Sequence, residues 1–158
     1  MFLGADGRVV LRLAALFHDV GKLILDEHIF SRNDAFKEFL GNSPDPNFKA
    51  EKQILGFDHA EVAAELCKKW KFPKAVTRAI RHHHHLNPDH DDDLASILYA
   101  ADNLTRMDGN GNGTGSLPDS IVDMVMELLT LGEDALSRIL LQVNESVGQI
   151  ENEIFGTA

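Results

Sequence analysis

The sequence lacks several features that would set it apart from an ordinary globular domain. Its single cysteine, Cys67, excludes an internal disulfide and a cysteine-based metal site, and we expect it to lie in the core. Apolar runs stay short of the ~18 residues that a membrane span needs. The first residues also lack the long apolar stretch of a signal peptide. We therefore expect a cytoplasmic protein with no membrane partner.

Positive charge is also scarce. The chain has 15 lysines and arginines against 25 aspartates and glutamates, which gives a net charge of −10. This balance argues against an extended surface for nucleic acid or anionic membranes. A phosphate-containing substrate would need local positive charge, which bound metal ions could supply.

Strand patterns are nearly absent, and apolar residues recur at helical spacing through most of the chain. In residues 8–25 they lie three and four apart, and Gly21 marks a point where this helix can end or loosen. The pattern predicts further helices at 28–40, 59–70, 74–85, 94–107, 118–131 and 133–154. With a length typical of one domain, residues 1–158 are predicted to form a single all-α bundle of about seven helices.

Local signals mark some of the helix ends. Asp58 and Glu61 have the spacing of a capping box, which predicts the start of the helix at 59–70. Pro73 suits the first turn of the next helix. The segment 41–47 is rich in turn formers and predicts a loop.

The most informative pattern is a series of histidines and aspartates, each on or beside a predicted helix. Imidazoles and carboxylates on four helices can converge on one or two divalent metal ions. A lysine beside the first pair, Lys22, could hold a phosphate oxygen. The series consists, in chain order, of His18, Asp19, His59, the run His82–His85 and Asp102.

Each residue of this series also has a simpler explanation. His59 at a helix start can be solvated or capping, and histidines at a helix end complement its dipole. Asp102 can be a surface charge, and four consecutive histidines cannot all point inward. The order of the whole series favours the metal site. The alternative, a structural helical domain with incidental histidines, stays open.

The segments that carry this series resemble the HD superfamily of metal-dependent phosphohydrolases and, within it, the HDOD domain of bacterial signalling proteins. LFHDVGKLIL is similar to the HD-x-GK segment of the family. GFDHAEVAAELCKKWKFPKAVTRAIRHHH resembles its H-A-E helix, Trp-x-x-Pro corner and double histidine, and ILYAADNLTR resembles its later aspartate helix. The resemblance covers most of residues 11–145 and implies an all-helical fold.

The resemblance also implies a set of metal ligands and a cofactor. The cofactor is one or two divalent ions, with Fe, Mn, Zn, Ni and Mg all open. We align the double histidine of the family with His83 and His84, and His82-His83 is the less favoured register. The implied ligands are His18, Asp19, His59, His83, His84 and Asp102.

Two departures from the family keep the function open. HD enzymes usually carry another histidine upstream, but none occurs in the 17 residues before His18. HDOD proteins also have a longer helical N-terminal half, which this sequence lacks. Many HDOD domains regulate other proteins without hydrolysis. The chain is thus either a metal-dependent phosphohydrolase for a nucleotide or phosphodiester in bacterial signalling, or a non-catalytic module that binds a signalling protein or nucleotide.

In the enzyme, Lys22 and the metals would offset charge on the phosphoryl oxygens. His82 would serve as general acid, with His85 as the alternative.

A second, weaker motif matches the start of an EF-hand calcium loop. Its candidate ligands are Asp108, Asn110, Asn112 and Asp119. Against calcium, Gly115 occupies a position that is usually apolar, and Asp119 is shorter than the usual glutamate. The favoured interpretation of this segment is a flexible Gly/Asn-rich linker.

Overall fold

The computed structural model describes residues 5–42, 47–85, 93–107, 123, 126–127, 130 and 132–156. Within these residues every regular element is a helix, which confirms the predicted all-α fold. The helices with described bounds are α1 (Ala5–Phe17), α2 (Val20–Ser31), α3 (Asn33–Asn42), α4 (Asn47–Leu55), α5 (His59–Lys69), α6 (Lys74–His82), α7 (Asp93–Met107) and α8 (Glu133–Phe155).

The chain divides into two compact units, Met1–Tyr99 and Ala100–Ala158, and the division falls inside α7. The prediction of one domain over residues 1–158 stays a prediction. Among the described helices, none is both long and apolar enough to cross a membrane.

The core of the first unit forms where α5, α6 and α1 pack together. Helix α5 contributes small side chains, so its neighbours can approach closely. Cys67 is fully buried in this core, as predicted. Edge-to-face contacts of Phe17 with Trp70 and Phe72 tie the end of α1 to the turn after α5. The buried core residues are Ala14, Ala63, Ala64, Cys67, Val76, Ala79, Ile80, Ala95 and Leu98.

A capping box starts α5, as the sequence predicts. The backbone N–H of Glu61 donates to Asp58 Oδ1 at 2.9 Å, and the backbone N–H of Asp58 donates to Glu61 Oε2 at 3.1 Å. Lys52 on α4 donates to both carboxylate oxygens of Glu61 at 2.7 Å. The cap therefore also fastens α4 against the first turn of α5.

Helix α5 ends in a Schellman motif with a lysine at its left-handed position. The N–H of Phe72 donates to the carbonyl of Cys67, and the N–H of Lys71 donates to that of Lys68, both at 3.0 Å. Lys71 has a φ of 62°, a conformation that favours glycine. Pro73, two residues after Lys71, occupies the N-cap position of α6.

Some predicted helix bounds were wrong. The helix expected at 8–25 is two helices, and the break lies at His18-Asp19. Gly21 does not end a helix but lies buried inside α2, where it allows a close backbone contact. A Cβ there would lie 2.0 Å from the carbonyl oxygen of His59. This contact brings the start of α2 against the start of α5.

The bounds of later helices also differ from the prediction. The helix expected at 28–40 is divided between α2 and α3, and α4 was not predicted. The helix expected at 74–85 ends at His82, so the last histidines lie beyond it. The predicted loop at 41–47 and the predicted helix at 118–131 fall largely outside the described residues.

Candidate metal centre

Three chain segments of the first unit bring their histidines and one aspartate together. The turn between α1 and α2 supplies His18 and Asp19, the first residue of α5 is His59, and the turn after α6 supplies His83 and His84. Two groups of possible ligand atoms result, each with all its atoms within 4.8 Å of one another. One group is His59, His83 and His84, and the other is His18, Asp19 and His83. His83 belongs to both.

The ring of His59 is oriented by a buried carboxylate on α4. Glu51 Oε2 accepts hydrogen bonds from His59 Nδ1 at 2.6 Å and from the His59 backbone N–H at 2.7 Å. Because an ionised carboxylate only accepts, the Nδ1 atom carries a proton. The other ring nitrogen, Nε2, then lies 3.2 Å from Asp19 Oδ1 and 2.7 Å from His84 Nε2. A carboxylate behind an imidazole in this way is typical of metal-binding histidines.

His18 and His83 are oriented by backbone carbonyls in the same manner. The Nδ1 of His18 donates to the carbonyl of Ala15 at 2.8 Å, and that of His83 donates to the carbonyl of Ile80 at 2.6 Å. When the proton of such a ring is on Nδ1, Nε2 is the nitrogen that can bind a cation. This nitrogen is the same one in His18, His59 and His83.

The Nε2 atom of His83 is buried and has no hydrogen-bond partner among the described residues. The side chain is fully buried, and burial lowers the pKa of His83 to about 3, although its bond to Ile80 opposes this. The ring is therefore neutral. A buried lone pair without a partner is unfavourable, and a cation would satisfy it.

Asp19 provides a negative charge beside this lone pair. Burial raises the pKa of its carboxyl group, but hydrogen bonds with His59 and Lys22 outweigh burial and hold the pKa well below its usual range. Lys22 Nζ donates to Asp19 Oδ2 at 2.6 Å. The other oxygen, Oδ1, is buried without a well-formed hydrogen bond, and its neighbour is His59 Nε2.

The pKa of His59 moves in the opposite direction from that of His83. Burial lowers the pKa of His59, but the carboxylates of Asp19 and Glu51 outweigh burial and raise it above its ordinary value. In the metal-free protein, a proton on His59 Nε2 thus occupies the space between two acceptors. A metal ion would take the place of that proton.

His84 completes the cluster and is held by an aromatic contact. Its ring stacks on Phe48 of α4 with centroids 4.4 Å apart and planes 7° apart. Phe48 also contacts His85 edge to face at 5.6 Å. Helix α4 therefore positions two members of the cluster, His59 through Glu51 and His84 through Phe48.

The residues present fit a divalent metal ion. The ring nitrogens that can bind it converge, one neighbouring carboxylate is ionised, and His83 Nε2 is buried without a hydrogen-bond partner among the described residues. A set dominated by imidazoles suits Zn, Fe or Ni better than Mg, and the carboxylate of Asp19 also suits Mn.

Comparison with models of known families identifies the same family that the sequence motifs resemble. The model of the HDOD domain matches residues 4–86, just over half of the chain. The chain belongs to the HDOD domain family. Comparisons with curated proteins and with solved structures found no match. The range matched to the HDOD domain contains α1 to α6 and therefore every ligand of the two groups above.

The HDOD domain thus brings together five of the six residues that the sequence proposed as ligands: His18, Asp19, His59, His83 and His84. The sixth, Asp102, lies on α7 in the second unit, and its place among the ligands stays a prediction. His83 and His84, the favoured register of the double histidine, both belong to these groups. His82 is exposed at the end of α6. The candidate calcium ligands Asp108, Asn110, Asn112 and Asp119 lie outside the described residues.

Sequence reasoning missed Glu51, although a signal was present. Helix α4 places Phe48 and Ile54 on its partly buried face, and Glu51 lies between them at spacings of three. An acidic residue on the apolar face of a helix must be paired, because burial of a lone charge is costly. This signal would have pointed to a buried partner such as His59.

Proposed function

We propose that this HDOD domain binds one or two divalent metal ions and hydrolyses a phosphate ester, a nucleotide or phosphodiester used in bacterial signalling. The ligands would be His18, Asp19, His59, His83 and His84. The observation that carries the proposal is the buried Nε2 of His83, which has no hydrogen-bond partner in the described part of the chain and belongs to both ligand groups. A helical domain with only a structural role would not need a buried ring nitrogen of this kind.

A divalent ion in this place would act as a Lewis acid and lower the pKa of a bound water to about 7. The remaining tasks belong to side chains. Lys22 is half-exposed and uses one of its three donors on Asp19, so a second can reach a phosphoryl oxygen from solvent. This hydrogen bond would offset the negative charge that develops during attack on phosphorus. His82, exposed at the end of α6, would protonate the leaving oxygen.

Hydrolysis of a generic phosphodiester tests this function. We expect bis(4-nitrophenyl) phosphate to be cleaved when Mn²⁺ is added, and Asp19→Asn to abolish cleavage. Lys22→Gln should lower kcat by about 10²- to 10³-fold, the usual effect of removing one transition-state donor. Lys37→Gln on α3 is the matched control and should retain full activity, because its side chain is exposed and outside the cluster. Stoichiometric metal without any cleavage would instead favour the non-catalytic regulatory module.

A further inference from the structure

Helix α8 carries apolar residues at alternating spacings of four and three. This spacing is the heptad repeat of a coiled coil, in which such residues form a continuous stripe against a partner helix. We name this stripe the α8 seam, and it consists of Leu136, Leu140, Val143, Val147, Ile150 and Ile154.

The start of the α8 seam is buried and its remainder is exposed. The exposed fraction rises from 7% at Leu136 to 40% at Val143 and 67% at Ile154. Every residue from Leu141 to Phe155 is exposed except Gly148, which is half-buried. Four apolar side chains of the seam therefore face water on consecutive turns of one helix.

The exposed part of α8, residues 141–155, has about the length at which an isolated helix becomes marginal in water. That length is ~12–15 residues even with good helix formers. Gly148 lowers the stability of a helix further, by about 1 kcal/mol relative to alanine. An exposed helix with a heptad stripe and an internal glycine is therefore expected to require a partner helix.

The charges on α8 indicate which partner fits. The helix has five acidic residues and one basic residue, which opposes binding to nucleic acid or an anionic membrane. The positions that flank the seam in a coiled coil are largely uncharged. They are Ser137, Ile139, Asn144, Ser146, Glu151 and Glu153, so only the last turn carries charge there. Two copies of the same helix can thus approach without facing rows of like charge.

We propose that α8 pairs with α8 of a second copy of this chain, seam against seam. The contact is self-complementary, because the same residues cover each other in both copies, as in a two-fold interface. The proposal is independent of the metal centre, which lies on α1 to α6.

Sedimentation equilibrium over a concentration series of the full chain tests the pairing. We expect a mass of twice the 17.5 kDa of one chain at the higher concentrations. Val147→Glu on the seam should give a single chain throughout. Leu141→Glu is the matched control, because Leu141 is 60% exposed on the same helix but off the seam, and it should remain paired.

Thermal unfolding gives a second measurement. The Tm of the wild type should rise with protein concentration, whereas that of Val147→Glu should not. A wild type that stays a single chain at every concentration, a mass above two chains, or equal dissociation by Val147→Glu and Leu141→Glu would overturn the proposal.

Discussion

Glu51 Oε2 accepts two hydrogen bonds from one residue, His59: from the backbone N–H at 2.7 Å and from Nδ1 at 2.6 Å. Both side chains are buried. These two hydrogen bonds fix both the backbone position of His59 and the rotation of its ring. As a result Nε2 is held toward Asp19 before any cation binds.

Glu51→Gln should weaken metal binding without unfolding the protein. The amide oxygen can still accept from His59, but it no longer supplies the negative charge that makes the imidazole a stronger ligand. We expect a loss of about 10- to 100-fold in affinity for Zn²⁺ or Mn²⁺, measured by competition with a chromophoric chelator. Glu27→Gln, at an exposed position on α2, is the control. Equal affinities for the two variants would show that Glu51 does not support the site.

Gly21→Ala should destabilise the first unit. The added Cβ would meet the carbonyl oxygen of His59 at 2.0 Å, so α2 and α5 must separate. Overpacking of this kind costs about 1–3 kcal/mol in unfolding free energy, measured by urea denaturation. Gly41→Ala on α3 is the matched control. A Cβ there meets no atom within 4 Å, so the substitution should leave stability unchanged or raise it slightly. Similar losses in both variants would contradict the close contact.

The sequence predicted the elements of this site better than their arrangement. Helical periodicity and the capping box at Asp58 depend on neighbouring residues, so they can be read from a local window. The break between α1 and α2 cannot be read from a local window, because the apolar spacing of residues 8–25 continues across His18 and Asp19. The packing of Gly21 on α5 is a contact between distant segments, so a local window does not show it either.

Glu51 illustrates the same limit at the site. The ordered series of histidines and aspartates pointed to a metal centre, since ligands are recognised by residue type and order. The carboxylate that orients His59 comes from α4, a short helix whose own sequence pattern is weak. The spacing on α4 marks Glu51 as an acid that needs a buried partner, but the partner itself is set by a tertiary contact.

His59 and His83 should titrate far apart in the metal-free protein. His83 should remain neutral down to a pH of about 3, because its ring is fully buried. His59 should stay protonated above its ordinary pKa of 6.5, because two carboxylates face it. Imidazole ¹⁵N–¹H correlation spectra over a pH series will distinguish them, and His28, exposed on α2, serves as the reference ring. Titration of both rings near 6.5 would contradict the described geometry.

The same shifts predict how stability depends on pH. The pKa of His83 is lower in the folded chain than in the unfolded chain, so its contribution is present above pH 6.5 and is lost as pH falls toward 3. The slope approaches about 1.4 kcal/mol per pH unit within this window. The contribution of His59 has the opposite sign and is lost as pH rises through its raised pKa. His83→Gln should flatten the acid side of the stability curve of the metal-free protein, measured by urea denaturation at each pH. A wild-type curve as flat as that of the variant would contradict the neutral, buried ring.

Lys71→Gly should stabilise the protein. A positive φ costs an L-residue roughly 1–2 kcal/mol, and glycine avoids this cost while losing about 0.5–1 kcal/mol through its greater freedom in the unfolded chain. The expected net gain is up to about 1 kcal/mol, seen as a higher Tm. Lys69→Gly, two residues earlier within α5, should instead lose about 1 kcal/mol. A lower Tm for Lys71→Gly would contradict the Schellman motif.

Metal content of the purified protein tests the central claim most directly. Elemental analysis should find at least one divalent transition metal ion for each wild-type chain, and none in Asp19→Ala or His83→Gln. His28→Gln removes an exposed imidazole of α2 outside both ligand groups and should retain the wild-type content. Stoichiometric metal in Asp19→Ala and His83→Gln, or a wild type that binds none when Mn²⁺, Fe²⁺ and Zn²⁺ are supplied, would contradict the account.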